Sequence, residues 1–271
     1  MALIVVGSAK GAPGASTLAL ALAAAWPGGV RPLVVEADAA GGDALLRFGM
    51  RESPGLVSLA AGSRRAGVTT ASLREHAQRL PGGVEMVIAP AEAGQCAATL
   101  DALAPVWVEA ELDGAVVLAD CGRLPLGASA TTALLGIADA LILVSGGSVE
   151  ALAHTAETAD RLRPSIHFLV VAVVGRCAWP AREVETALGA DACVMLPYDP
   201  ASGALLRGAP MPRRRWPAKA RHPLMDAARG LAMELERQLP ENLAPDENPQ
   251  PAAASAAERA DLASALGGER R

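Results

Sequence analysis

The sequence predicts an α/β protein built on one doubly wound, mainly parallel sheet with helices on both faces. Three observations carry that reading. Short apolar runs rich in Val, Ile and Leu recur along the 271 residues, and stretches of helical character alternate with them. Hydrophobic residues make up 51% of the chain and aromatics only 3%, the palette of strands buried on both faces beneath closely packed, Ala-rich helices. Finally, the chain opens as strand, small-residue loop and helix, and the remaining elements are arranged around that unit.

The apolar run from Leu3 to Val6 ends in Gly7-Ser8-Ala9-Lys10-Gly11-Ala12-Pro13-Gly14-Ala15-Ser16-Thr17, and a helix rich in Ala and Leu continues to near Trp26. In this context the loop amides and the helix N-terminus converge on one point, which suits a phosphate group. Set against G-x-x-x-x-G-K-[ST], the stretch departs twice: Ala9 stands at the first Gly and Ala15 at the Lys. The chain has only two lysines, Lys10 and Lys219, among 24 Lys and Arg residues. A sequence so biased to Arg uses Lys10 for a compact ammonium near backbone and phosphate, or carries it as a surface lysine.

The next strand spans residues 31–38 and ends in Glu36 and Asp38, which period-two alternation puts on one face at the carboxyl edge, where open α/β sheets hold ligands. Asp38 alone also fits a helix N-cap. A short helix is expected over 44–48 and a charged surface helix over 71–80, with His76 solvated beside it. Strands are expected at 84–90 and 115–120, a helix at 95–111 between them, and the second strand closes on Asp120. Asp120 fits a metal-facing carboxylate or a strand-end cap. Strands at 138–144, 166–174 and 192–196 alternate with helices at 148–162 and 181–188. Right-handed β-α-β crossovers then give a parallel sheet. An amphipathic helix over 224–239 presents Leu224, Ala228, Leu231 and Leu235 on one face. Residues 1–239 form one domain, and residues 240–271, rich in Pro, Ala, Asn and Glu, form a disordered tail.

Net charge is −5, so the overall field does not advertise nucleic acid. No apolar run reaches about 18 residues and no basic segment precedes the first strand, so neither a membrane span nor a signal peptide is expected. The tail lacks the pattern of an amphipathic membrane anchor. Cys96, Cys121, Cys177 and Cys193 are scattered with no C-x-x-C pair, which fits reduced thiols in a cytoplasmic protein. From Arg207 to His222 the chain holds six Lys or Arg and no acid, which reads as a solvated basic loop or as a surface for DNA, an acidic partner or anionic lipid.

Lys10-Gly11-Ala12-Pro13-Gly14-Ala15-Ser16-Thr17 resembles the deviant Walker A motif, K-G-G-x-G-K-[ST]-[ST], of the ParA/MinD family of P-loop ATPases. The resemblance extends over residues 2–239 and is weak in 49–83. It takes in the acids of Val35-Glu36-Ala37-Asp38, Asp120-Cys121-Gly122, Pro197-Tyr198-Asp199 and Gly208-Ala209-Pro210. It implies a fold that binds ATP or ADP with Mg2+ and dimerises face to face. Lys10 would be the signature lysine that reaches the partner's phosphates, and Gly11, Gly14, Ala15, Ser16 and Thr17 would line the nucleotide. Ser16, Glu36 and Asp120 would serve magnesium, and Asp38 would orient the attacking water. The partners implied are a second copy and a protein of a partition, division, pilus or secretion system. Relatives that close the strand at 166–174 with an Asn read adenine there; here Gly175-Arg176 stand instead.

The degenerate loop is similar in that respect to TadZ/CpaE-like members. Losing the loop lysine removes a charge-assisted contact of roughly 1.5–3 kcal/mol, about ten- to a hundredfold in affinity. Hydrolysis falls by roughly 10² to 10³ when such a stabiliser is lost. Pro13 stiffens the loop and removes one N–H. Two functions remain open: a nucleotide-responsive dimer that positions cellular cargo with weak or no hydrolysis, and a pseudo-ATPase scaffold that binds proteins without nucleotide.

Overall fold

The computed structural model describes residues 2–11, 14–124, 127–209 and 222–239. Pro13, the basic residues at 210–221 and the tail expected from 240 onward lie outside the described residues.

Strand β1 (Ala2–Ser8) leads through the loop to α1 (Ala15–Ala25), and β2 (Leu33–Glu36) is followed by α2 (Ala44–Phe48), α3 (Leu56–Ala66) and α4 (Thr70–His76). The edge strands β3 (Gln78–Arg79) and β4 (Glu85–Val87) precede α5 (Ala93–Trp107) and β5 (Val116–Arg123). Next come α6 (Ser129–Ile137), β6 (Ala140–Gly146), α7 (Val149–Leu162), β7 (Phe168–Val174) and α8 (Ala181–Leu188). The described chain closes with β8 (Ala192–Leu196), α9 (Pro200–Leu206) and α10 (Pro223–Gln238).

The eight strands form one sheet in the order β3-β4-β2-β5-β1-β6-β7-β8, parallel throughout except for the β3–β4 pair. Every residue of β1 is buried, which is why that strand reads as a continuous apolar run. On one face, Ile4, Val34, Leu118 and Ile142 pack beneath α1 and α10, with Leu18, Leu22, Leu231 and Leu235 in the same cluster. On the other, Leu3, Val5, Val117 and Leu141 lie under α3, α5 and α6. Successive strand residues therefore feed opposite layers. The face of α10 that the sequence marks out is the buried one.

Several details differ from the sequence reading. Strand β2 stops at Glu36, so strict alternation does not carry through to Asp38. Gln78 and Arg79 are an antiparallel edge strand rather than the end of a helix, because Arg74 and Arg79 both turn to Glu85, at 3.0 Å each. His76 is not simply solvated: its Nδ1 lies 2.9 Å from Ser58 Oγ and ties α4 to α3. Helix α6 has no counterpart in the sequence reading, since its SATTALLGI run lacks a charged face to set its period.

Asp139 precedes β6 and accepts a hydrogen bond from the Leu3 N–H at 2.8 Å, which pins β6 in register against β1. Asp139→Ala is expected to lower stability by about 1–2 kcal/mol, read as a shift in the urea midpoint at constant slope. Asp139→Asn retains the acceptor and most of that stability.

Candidate functional site

The order of strands changes direction around β1. The chain passes from β1 to β2 across the place that β5 fills, and from β5 it goes to the other side of β1 as β6. Crevices for ligands open at such a switch, outside the carboxyl ends of the strands. Here those ends carry the loop after β1, Glu36 at the end of β2 with Asp38 just beyond it, and Asp120 to Arg123 on β5.

Ser8 is buried and joins two of these segments. Its hydroxyl lies 3.1 Å from the Gly122 carbonyl and 3.4 Å from that of Gly11, while its own carbonyl accepts the Leu124 N–H at 3.0 Å. Gly7 permits this approach, since a Cβ there would lie 2.6 Å from Leu124 Cγ. Gly14 then turns the chain into α1 with φ 102° and ψ 29°, a left-handed conformation that glycine adopts without strain. The helix has no side-chain cap and no acid in its first turn. The amides of Ala15, Ser16 and Thr17 thus begin a helix whose N-terminal partial charge is left for another group to meet. Ala15 itself is buried, at the position of the loop lysine.

Asp120 lies between Val6 of β1 and Glu36 of β2 in register, with 3% of its surface exposed. It accepts a hydrogen bond from the Gly122 amide at 3.2 Å, and the Ser16 hydroxyl lies near enough to favour its charged form. Burial pushes its pKa up to about 7 against those two influences, and the neighbouring charges of Glu36 and Asp38 push the same way. Strand β5 and the first turn of α1 thereby bring Ser16 and Asp120 to the same edge of the sheet.

Glu36 is held at this edge by backbone amides. Its Oε1 accepts the amides of Asp43 and Ala44, each at 2.9 Å, and its Oε2 accepts that of Ala89 at 3.0 Å. This buried carboxylate braces the start of α2 against the segment after β4, and three backbone donors already occupy it. Desolvation nonetheless raises its pKa. Asp38 is half-buried; its Oδ1 accepts the Ala40 amide at 2.9 Å, and its carboxylate rests on Gly122, where a Cβ would lie 1.8 Å from Oδ2. Burial raises the Asp38 pKa as well.

Lys10 extends to α7 of its own chain, with Nζ 3.2 Å from His154 Nε2. At the start of α1, the Thr17 hydroxyl accepts a hydrogen bond from Arg207 Nη1 at 3.2 Å. Sequence reasoning missed His154 and this use of Arg207. Both contacts join segments more than 140 residues apart, and no spacing in the sequence announces them.

The residues present fit a magnesium-bound nucleotide. Ser16 and Asp120 offer hard oxygen donors side by side, and the uncapped helix terminus offers amides to phosphate. Asp120, Glu36 and Asp38 crowd negative charge that a cation would relieve. Among the described residues, no group of three His, Cys, Asp or Glu side chains could hold a metal. Phosphate oxygens would have to complete its shell.

No protein-family model matches the chain, and no curated protein does. Solved structures do match. A ParA family ATPase from Chlorobium tepidum TLS superposes with a TM-score of 0.65 at 17% identity, over 86% of this chain and 98% of that one. The cell division ATPase MinD of Pyrococcus furiosus gives 0.64 at 20% identity, over 88% and 99%. The septum site-determining protein MinD of Pyrococcus horikoshii, complexed with Mg-ADP, gives 0.58 at 17% identity, over 88% and 98%. With its strand order, its uncapped loop helix and these superpositions together, the chain has the α/β fold of the ParA/MinD P-loop ATPases.

Proposed function

We propose that the protein is a nucleotide-binding, dimerising spatial organiser of the ParA/MinD type, acting in the cytoplasm with weak or no ATP hydrolysis. The observation that carries this reading is the pairing of Ser16 with the buried Asp120 beside the uncapped start of α1. A fold kept only as a platform has no need to bury an acid against a loop serine, because desolvating a carboxylate is costly. The solved relative that holds Mg-ADP supports the same ligand here. Bound magnesium would neutralise phosphate charge, while Ser16 and Asp120 would hold the ion and the amides of Gly14 to Thr17 would orient the phosphates. Ala15 supports slow turnover, because it supplies no charge to a transition state.

Lys10 supports dimerisation in this reading. Its stem is exposed and its ammonium meets only the His154 ring among the described residues, so it can be redirected to a second copy. The cargo is a partition, division, pilus or secretion assembly. A basic stretch that touches DNA is the further element of this reading, with most of that stretch outside the described residues.

Calorimetry of ATP and ADP with magnesium, on the native chain and on Lys10→Ala, tests the proposal. Micromolar binding, weakened about tenfold by Lys10→Ala, together with ATP-dependent dimers in light scattering, is the expected result. Absence of binding at millimolar nucleotide overturns it and leaves the pseudo-ATPase scaffold, which the buried Ala15 favours.

A further inference from the structure

Without the loop lysine, the region around the start of α1 is one cation short, and the fold delivers another from the far end of the chain. Helix α9 ends at Leu206, and the N–H of the next residue, Arg207, bonds the Gly203 and Ala204 carbonyls at 3.1 and 3.2 Å. Gly208 follows with φ 80° and rests on α2, where a Cβ would lie 2.9 Å from the Phe48 ring. The corner is therefore held from both sides. From it the Arg207 side chain runs to α1 and donates to Thr17, the third residue of that helix, at 3.2 Å. Gly203 leaves it room, since a Cβ there would lie 3.2 Å from Nη1.

This arrangement is electrostatically incomplete. A guanidinium beside a helix N-terminus faces partial charge of its own sign. The Thr17 hydroxyl takes one of its five N–H donors, and among the described residues no carboxylate pairs with it. Both the helix terminus and the guanidinium call for an anion at the same place.

We infer that Arg207 is the phosphate-binding cation that stands in, from outside the loop, for the lysine missing at position 15. The inference rests on the nucleotide-binding reading above. Its ligand is a phosphate of a nucleoside di- or triphosphate, met by the parallel N–H groups of a guanidinium rather than by an ammonium. Arg207 thereby leaves the basic segment to which its sequence position assigned it.

ADP–magnesium titrated into the full chain by calorimetry tests this, with Arg207→Ala, Arg207→Lys, Ala15→Lys and the double variant Ala15→Lys/Arg207→Ala. Arg207→Ala is expected to weaken ADP binding about ten- to a hundredfold, with Arg207→Lys intermediate. Restoring the loop lysine in the double variant should recover most of the loss. Added salt should weaken ADP binding more for the native chain than for Arg207→Ala. If Arg207→Ala fails to fold, the Arg207→Lys affinity and the salt dependence of the native chain carry the test. Native micromolar binding left unchanged by both Arg207 variants overturns this inference and spares the proposed function. A native chain that binds no ADP at millimolar concentration overturns both.

Discussion

Glu36→Ala is expected to destabilise the protein by about 3–6 kcal/mol, whether or not magnesium and nucleotide are present. The substitution strands the amides of Asp43, Ala44 and Ala89, which all bond this one buried carboxylate. Each buried N–H without a partner costs about 1–3 kcal/mol. Gly42 packs so closely that a Cβ there would lie 2.6 Å from Glu36 Oε2, which leaves little room for repair by another side chain. Glu36→Gln keeps one carbonyl oxygen for two of the three donors and should lose only about 1–2 kcal/mol. Urea unfolding in metal-free buffer, followed by circular dichroism, reads both values. An apo protein indifferent to Glu36→Ala would return Glu36 to the metal and remove its bracing role.

In metal-free buffer the melting temperature of the native chain should fall as pH rises from about 4 to 8, and Asp120→Asn should remove most of that fall. In the folded chain Asp120 keeps its proton to about pH 7, whereas its ordinary value is 3.8. Between those values the folded state binds the additional proton, so stability is full below the ordinary pKa and declines as pH rises through the folded one. The cost at pH 8 is on the order of a few kcal/mol, or roughly 5–10 °C in melting temperature. Glu36 and Asp38 are also raised, by burial, and add to the same slope, so a residue of it should survive in the variant. Asp120→Asn keeps an acceptor for the Gly122 amide and should melt higher than the native chain at pH 8. Scanning calorimetry with a chelator present gives the comparison. Equal slopes in the two proteins would show that the Asp120 charge is not desolvated.

The sheet was legible because its strands are buried on both faces and their sequences say so: Leu3 to Val6, Val116 to Ala119 and Leu169 to Val173 have no polar interruption. The placing of the loop helix and of Asp120 at one sheet edge was legible too, since a loop helix and an acid at a strand end have little freedom in this topology. Glu36 keeps two readings for a definite reason. Its position at the carboxyl edge is what a metal ligand and a loop brace share, and only the amides of residues 43, 44 and 89 tell them apart. Arg207 was unreadable on other grounds. Its direction depends on a glycine corner against Phe48 and on the absence of a side chain at Gly203, neither of which has a sequence period. Gln78 and Arg79 were lost to a local helical pattern that two ion pairs to Glu85 override.

The position of β5 between β1 and β2 also governs how the molecule must be assembled. Strand β1, apolar from Ala2 to Val6, is synthesised well ahead of both its neighbours in the sheet, which begin at residues 116 and 140. More than a hundred residues must emerge before it can pair at all. In that interval α1 can form locally, but β1 remains an unpaired edge of the kind that aggregates or is held by a chaperone. The strand that launches the phosphate loop therefore docks late, and partially synthesised chains carry neither the sheet centre nor the Ser16–Asp120 pair. Truncations that end before residue 123 should be insoluble rather than merely inactive, and that separates nucleation of this fold from the order in which its sequence is read.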